Sequence, residues 1–423
     1  MEEIANGNTK IDQEFQNADQ FIECFDKFMA NLTSTEAQYV PVFFKNLIEA
    51  AECGQLLKMR RILEPLMFES ETLSYLMEKR FETHKNGTIL HIAAAKAHSA
   101  LVTFLLQQDF VDVYAKDDQG YQPIYLVFNE TNPKHEMKKC INIFIEHDST
   151  LASTSCVDPY GFNLVQLSAR FDLIDLAKNL IENFNFNVNF ASDPTGSCPL
   201  LLAVLSKSEK LFNYLMEKEA DINIRRRSDY ISILHAACSI GNEDMVKCLL
   251  ERDKEMINWR ALNGTKPIHH AITNGHVKLV DSLLFDFDNT KEDLNLCLYL
   301  ACNHGNLEMV KLLISYGAEA VKYSRGRNLL HVVSEKGHLH VFDYLMEKQH
   351  LNNCGDCDIN VKTSDGSMVL HLAAANGHYD LVKRIVERHK VVNLPLQLKG
   401  AVLKAMVHDH RDIVDYLMNK QVK

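Results

Sequence analysis

The sequence predicts an all-α solenoid of helix–turn–helix repeats with β-turn fingers, preceded by an N-terminal capping helix. Three observations carry that expectation. A short pattern, Leu-His-x-Ala-Ala, returns along the chain; it returns at nearly constant spacing; and a Gly-His or Gly-Asn step and a second apolar run follow it in half of the copies. Self-similarity at a fixed period of this length is the signature of stacked supersecondary units.

The clear copies are Leu90-His91-Ile92-Ala93-Ala94, Leu234-His235-Ala236-Ala237-Cys238 and Leu370-His371-Leu372-Ala373-Ala374. Pro267-Ile268-His269-His270-Ala271 and Leu329-Leu330-His331-Val332-Val333 are close variants, and weaker copies centre on Tyr125, Gln166, Leu201, Tyr299 and Leu403. Along the histidine slot the steps are 34, 41, 35, 34, 34, 30, 32, 40 and 32 residues. An earlier copy is expected at Ala50 to Gly54, followed by the apolar run Leu56 to Leu63.

Each unit has a physical reading. The Ala-bearing stretch is a short first helix whose small face lets neighbours approach. Pro123, Pro199 and Pro267 suit a first helical turn, where the missing N–H has no intrahelical role. Gly241, Gly275, Gly305, Gly337 and Gly377 follow at a fixed offset and fit a left-handed helix terminus. Met245, Val246, Leu249 and Leu250 then show the spacing of a second helix. Polar connections such as Asn258 to Gly264 close the units.

These units resemble the ankyrin repeat, whose consensus carries Thr-Pro-Leu-His-x-Ala-Ala, Gly-His, a second helix and a β-turn finger. The resemblance covers roughly residues 43–420, so residues 1–42 are expected as a helical cap and 43–423 as ten to eleven repeats. Thr is mostly absent from the Thr-Pro pair, and the second and third copies lack both His and Gly-His. The resemblance implies a non-enzymatic adaptor that binds a protein or peptide on its concave finger and inner-helix surface. It also implies that the first histidine slot belongs to hydrogen bonds between adjacent turns.

Composition narrows the classes further. With 46% hydrophobic and 24% charged residues, 9 Pro and 17 Gly, the chain of 423 residues is too apolar for disorder. A net charge of -11 disfavours nucleic acid, and no run approaches the roughly 18 apolar residues of a membrane helix. The acidic, polar N-terminus reads as no secretory signal. Eleven cysteines, mostly isolated in apolar segments, read as reduced thiols. The expectation is a cytoplasmic monomer without cofactor. An alternative is a host-targeted bacterial effector acting in the host cytoplasm.

Ile11, Phe15, Phe21, Ile22, Phe25, Phe28, Met29 and Leu32 recur at helical spacing, giving a capping helix or one that lies in a partner's groove. At the other end, Asp409 to Asp412 and Asn419 to Lys423 suggest a polar last repeat. Cys354-Gly355-Asp356-Cys357, with His350 nearby, is half of a zinc or redox motif with no second pair; a loop with two reduced thiols is the competing reading. Gly-x-Gly-x-x-Gly, Walker and Gly-x-Ser-x-Gly signatures are missing from the sequence.

The fingers hold the candidate binding residues. Arg225, Arg226, Arg227, Trp259, Arg260, Lys322, Tyr323, Arg325 and Arg327 place Arg and aromatics, the types enriched at hot spots, on an acidic chain. An acidic or phosphorylated peptide suits them, because Arg forks pair with carboxylate and phosphate. Scattered solvated charges and a Trp packed on its own repeat are the alternative. A sixth finger, Asp286 to Glu292, would interrupt the strip. Leu215, Asp221, Ile222 and Asn223 match the pattern of ankyrin asparagines hydroxylated by an oxygen-dependent dioxygenase, whereas Asn also suits a plain turn there.

Because each repeat touches only its neighbours, divergent copies should be locally weaker. Amide hydrogen exchange is expected to be slowest within residues 231–390 and faster within 119–200. Uniform protection across the array would contradict it.

Overall fold

The computed structural model describes residues 39–68, 70–108, 110–153, 156–191, 195–287, 290–321, 323–349, 358–388 and 394–421. The expected N-terminal helix and the Cys354/Cys357 loop lie outside them. The chain divides into two compact units, residues 1–228 and 229–423.

The first unit contains α1 (Tyr39–Glu52), α2 (Leu56–Leu63), α3 (Ser70–Glu78), α4 (Ile89–Ala95), α5 (Ser99–Leu106), α6 (Pro123–Leu126), α7 (Lys134–His147), α8 (Leu164–Arg170), α9 (Ile174–Asn183), α10 (Pro199–Leu205) and α11 (Glu209–Glu217). The second contains α12 (Ile233–Ile240), α13 (Glu243–Arg252), α14 (Pro267–Thr273), α15 (Val277–Asp286), α16 (Lys291–His304), α17 (Leu307–Ser315), α18 (Leu329–Lys336), α19 (Leu339–Gln349), α20 (Val369–Ala375), α21 (Tyr379–Arg388), α22 (Leu394–Val407) and α23 (Arg411–Gln421). Among the described residues there is no strand, only isolated bridges such as Phe81 with Gly87 and Tyr323 with Arg327. The fold is an all-α ankyrin-type solenoid of helical hairpins. First helices stack on first helices within each unit: α4 on α6, α8 on α10, and α12 through α22 in succession.

The histidine slot explains the stacking. His91 Nδ1 accepts the Thr88 N–H at 3.0 Å, which leaves Nε2 to donate to Tyr121 O at 3.1 Å in the next finger. His235 pairs with Thr265 O, His331 with Val361 O and His371 with Gln397 O, at 3.1, 3.1 and 3.2 Å. Gln166 does the same work in a copy that lacks His: its Nε2 donates to Ser197 O at 2.6 Å, and its Oε1 accepts the Asn163 N–H. Each bond ties a first helix to a carbonyl of the following hairpin; Tyr121 O and Thr265 O also accept an N–H of their own fingers, from Asp117 and Ala261, and Gln397 O lies in α22.

A second ladder runs along the hairpin turns. His98, His276, His338, His378 and His410 each place Nε2 on a carbonyl of the preceding hairpin, respectively Glu52, Ser239, Asn303, Glu335 and Ala375, at 2.8–3.1 Å. In every case the preceding turn carries glycine at positive φ, and the imidazole lies where a Cβ would be. A Cβ on Gly54, Gly241, Gly305, Gly337 or Gly377 would lie 2.3–2.7 Å from the ring that follows. Where the turn residue carries a side chain, the next copy uses another group. After Ala97 (φ 51°) the insertion supplies Asn132, whose Nδ2 donates to Ala95 O at 3.1 Å. After Asp172 (φ 56°) Ser208 holds the slot, its hydroxyl without a hydrogen-bond partner among the described residues, and Ser206 Oγ instead donates to Ala169 O at 2.9 Å.

The polar C-terminal cap expected from the sequence is not what α22 and α23 present. Leu396, Leu403, Met406, Val407 and Met418 are exposed. The sequence pattern misled because acids and amides sit at the turn and the helix end, while the stacking face between them stays apolar.

Two outcomes follow from the ladders. Gly305→Ala sets a Cβ 2.4 Å from His338 Nδ1 in a left-handed conformation. It should destabilise by about 2–4 kcal/mol, combining strain and overpacking. Adding His338→Ala should recover the overpacking part. Chemical denaturation of the two single variants and the double variant checks this; strict additivity would refute the contact. The second outcome concerns pH. Burial lowers the pKa of His91, His331 and His371, and takes His269 down to about 4. Each is neutral in both states above about pH 6.5. Below that value the unfolded chain binds protons that the folded chain refuses. Stability should therefore fall as pH drops from 6.5 toward 4, with a slope of up to ~1.4 kcal/mol per pH unit per histidine. Thermal melting across that range tests the sign, and His269→Gln should flatten the slope.

Candidate functional site

Finger tips are tied to one another by backbone hydrogen bonds. Asp118 N–H donates to Lys85 O, Arg227 N–H to Thr195 O, Leu262 N–H to Asp229 O and Ser364 N–H to Arg325 O, at 2.7–2.9 Å. These short links make a rigid edge from which side chains project, the arrangement expected of loops that carry function on a fixed scaffold.

In the first unit, Arg225 and Arg226 are half-buried and Arg227 is exposed. Arg227 nevertheless braces the finger before it. Its Nη2 donates to Ala191 O at 3.4 Å, and its Cγ lies 2.8 Å from where a Cβ on Gly196 would stand. Asn223 is exposed in a turn, with its N–H donated to Asp221 Oδ1 at 2.9 Å, while Leu215 is buried.

In the second unit, Trp259 is half-buried and closes the 3-10 turn Lys254–Asn258, its N–H donated to Met256 O at 3.2 Å. The tip of that finger is Leu262, 71% exposed. Arg260 Nη1 donates to Gly264 O at 3.0 Å and Nη2 lies 3.6 Å from Asp293 Oδ1. Lys322 lies outside the described residues. Tyr323 packs on Tyr299 with ring centroids 4.7 Å apart and donates its hydroxyl to Asn295 O at 3.1 Å. Arg325 is exposed at φ 62°, and Arg327 is ion-paired with Glu335.

The expected sixth finger does not form. α15 runs through Asp286, and α16 begins at Lys291 with Glu292 and Asp293 in its first turn. Asp288 lies outside the described residues. The reason is a cap: Thr290 Oγ1 accepts the Asp293 N–H at 3.2 Å, and acids in the first turn suit the helix dipole. The segment Thr-Lys-Glu-Asp before an apolar run carried that signal in the sequence. Asp293 also takes Lys266 Nζ at 2.7 Å, with both side chains nearly buried. Burial opposes ionisation of Asp293, but the Lys266 and Thr290 hydrogen bonds outweigh it and hold its carboxyl below the usual range. The missing finger leaves His269 Nε2 without a hydrogen-bond partner among the described residues.

Through these contacts the finger at 259–265, the start of α16 and the finger at 323–327 form one continuous surface in the second unit. It exposes Leu262, Leu296, Arg260 and Arg325 beside the Tyr299–Tyr323 pair. Leu262, Leu296 and Tyr299 were not singled out by the residue-type argument, which weighed Arg and Trp; only the position of Leu262 next to Asn-Gly pointed to a turn tip.

Among the described residues no group of three or more His, Cys, Asp and Glu side chains could hold an ion. Burial pushes the thiols of Cys140 and Cys297 up to about 12 and that of Cys198 to about 11, which keeps them protonated and unreactive. No described helix is long and apolar enough to cross a membrane.

Comparison with known proteins agrees with this architecture. Ankyrin-repeat models match residues 225–296, 279–356 and 348–423, and a single-repeat model matches 86–118. An ankyrin repeat protein of Acanthamoeba polyphaga mimivirus is 26% identical over 75% of this chain and 39% of its own length. The nuclear factor NF-kappa-B p105 subunit of Gallus gallus is 27% identical over 53% of this chain and 20% of its own. The phosphocholine transferase AnkX of Legionella pneumophila is 24% identical over 46% of this chain and 22% of its own. The chain thus spans well under half the length of these relatives. With repeat matches over more than half of its residues and a stack of helical hairpins bonded through their histidine slots, the chain belongs to the ankyrin-repeat family.

Proposed function

We propose that this protein is a non-enzymatic adaptor that holds an acidic or phosphorylated peptide against the finger edge and first helices of its second unit. Ankyrin repeats generally mediate protein–protein interaction. The observation that carries the finer reading is the continuous surface of Leu262, Leu296, Arg260 and Arg325 beside Tyr299 and Tyr323. Arg and Tyr are the types enriched at interface hot spots, and the exposed Leu tips add apolar contact area around them. A peptide carboxylate or phosphate would meet the exposed Arg325 first, since Arg327 is engaged by Glu335. Unpaired thiols at Cys140, Cys198, Cys238 and Cys297 support a reducing, cytoplasmic setting. Asn223 is proposed as a hydroxylation site on its exposed turn.

The test begins with proximity labelling or pull-down, followed by calorimetric titration of the captured partner. Leu262→Asp and Arg325→Glu should each weaken binding at least about tenfold, or ~1.4 kcal/mol, with unchanged circular dichroism. Arg226→Glu should do the same if the first unit contributes. Trp259→Ala should weaken binding and also lower the melting temperature, because its ring is half-buried. Wild-type affinity for both Leu262→Asp and Arg325→Glu would place the interface elsewhere.

A further inference from the structure

Fingers turn at the residue two places ahead of the N-cap of the first helix, and that residue lies at positive φ. Gly120, Gly161, Gly196, Gly264, Gly326 and Gly366 fill the place at φ 68–87°, and Asn86 fills it at φ 54°. Glycine meets no Cβ penalty there, and Asn is among the side chains that tolerate it best. The finger ahead of α12 departs from this pattern: its turn residue is Tyr230, at φ 59°.

A bulky ring in the left-handed region costs stability, and such strain persists where the side chain has a use. The fold itself makes little use of this one. Among the described residues the Tyr230 side chain makes no hydrogen bond and no ring contact, and the residue is 52% exposed. Its neighbour shows what the ring can do. Leu262 N–H donates to Asp229 O at 2.8 Å, so Tyr230 and Leu262 flank one backbone hydrogen bond between adjoining finger tips. Leu262 is 71% exposed. An aromatic and an aliphatic side chain are thus exposed at one tied corner of the second unit. An apolar side chain of a partner is the group such a corner takes from water. Tyr suits the task, because it offers much contact area with few rotatable bonds.

We propose that Tyr230 is a specificity-determining residue that, with Leu262, seats an apolar side chain of the peptide whose anion meets Arg325. This rests on the peptide-binding reading above and gives its ligand a second feature. The fingers of Leu262 and Arg325 lead into α14 and α18, two first helices apart. At ~10 Å per packed helix the separation is ~20 Å, which an extended peptide spans in about six residues. The ligand is therefore a segment with a Leu-, Met- or Phe-like residue about six positions from its phosphate or carboxylate.

The probes are two synthetic peptide libraries with randomised flanks, one around a fixed phosphoserine and one around a fixed glutamate, retained on the full immobilised chain and sequenced. The wild type should retain at least one library and enrich apolar residues about six positions from the fixed residue. Tyr230→Asn keeps the left-handed turn, as Asn86 does in its own finger. It should lose that enrichment and bind the best selected peptide at least about tenfold more weakly, with a melting temperature no lower than the wild type. Tyr230→Phe should bind as the wild type does, because the ring makes the contact. Arg325→Glu tests the underlying reading and should release the library. If Arg325→Glu releases it while Tyr230→Asn keeps both enrichment and affinity, the Tyr230 assignment fails and the reading stands. If the wild type retains neither library, or Arg325→Glu retains it fully, the reading falls and takes the assignment with it. A Tyr230→Asn chain that melts several degrees lower shows a structural tyrosine and overturns the assignment, whatever its affinity.

Discussion

A hydrogen bond from a buried or half-buried side chain to a carbonyl of the adjoining hairpin is the constraint on which this architecture rests. It recurs at both edges of the stack, from His91, His235, His331 and His371 toward the following finger, and from His98, His276, His338, His378 and His410 toward the preceding turn. Helices of seven or eight residues, such as α4 and α12, are too short to persist alone in water. They exist because apolar faces and these bonds tie each to its neighbours, so cooperativity lives between hairpins.

This constraint also sets what the edge can offer a partner. Fingers are anchored from below by the slot side chain and from the side by links such as Leu262 N–H to Asp229 O. Anchoring consumes polar groups: Arg227, Arg260 and Arg327 all spend hydrogen-bonding capacity on the protein itself. What remains outward is mainly apolar or singly charged, which is why the proposed contact centres on Leu262 and Arg325 and not on a count of arginines.

Much of the fold was legible because period and small-residue pattern are dictated by stacking, which leaves the same mark in every copy. The histidine slots were read correctly for the same reason, except at His269, whose Nε2 finds no hydrogen-bond partner among the described residues. Gln166 shows the limit: the slot requires a donor and an acceptor at the right reach, not an imidazole, so a position read from the sequence only as a weaker copy makes both bonds. The sixth finger was misplaced because repeat averaging assumed a finger where Thr290 and Asp293 start a helix. The site was less legible. Whether an arginine projects or braces depends on neighbours some thirty residues away, as with Arg227 and Ala191, and no local pattern encodes that.

The match between a glycine turn and the imidazole that follows it reaches beyond stability. A hairpin ending in Gly accepts a successor bearing His, whereas one ending in Asp172 or Ala97 is followed by Ser208 or Asn132. Hairpins are therefore not interchangeable words but words with agreement rules. Duplication or exchange of a single repeat by recombination would survive only where the new junction does not set a side chain ahead of histidine; glycine ahead of another residue is tolerated, as with Gly275 and Asn306. Drift in this lineage should move such positions in pairs, with loss of the ring preceding loss of the glycine, because the reverse order passes through a clash.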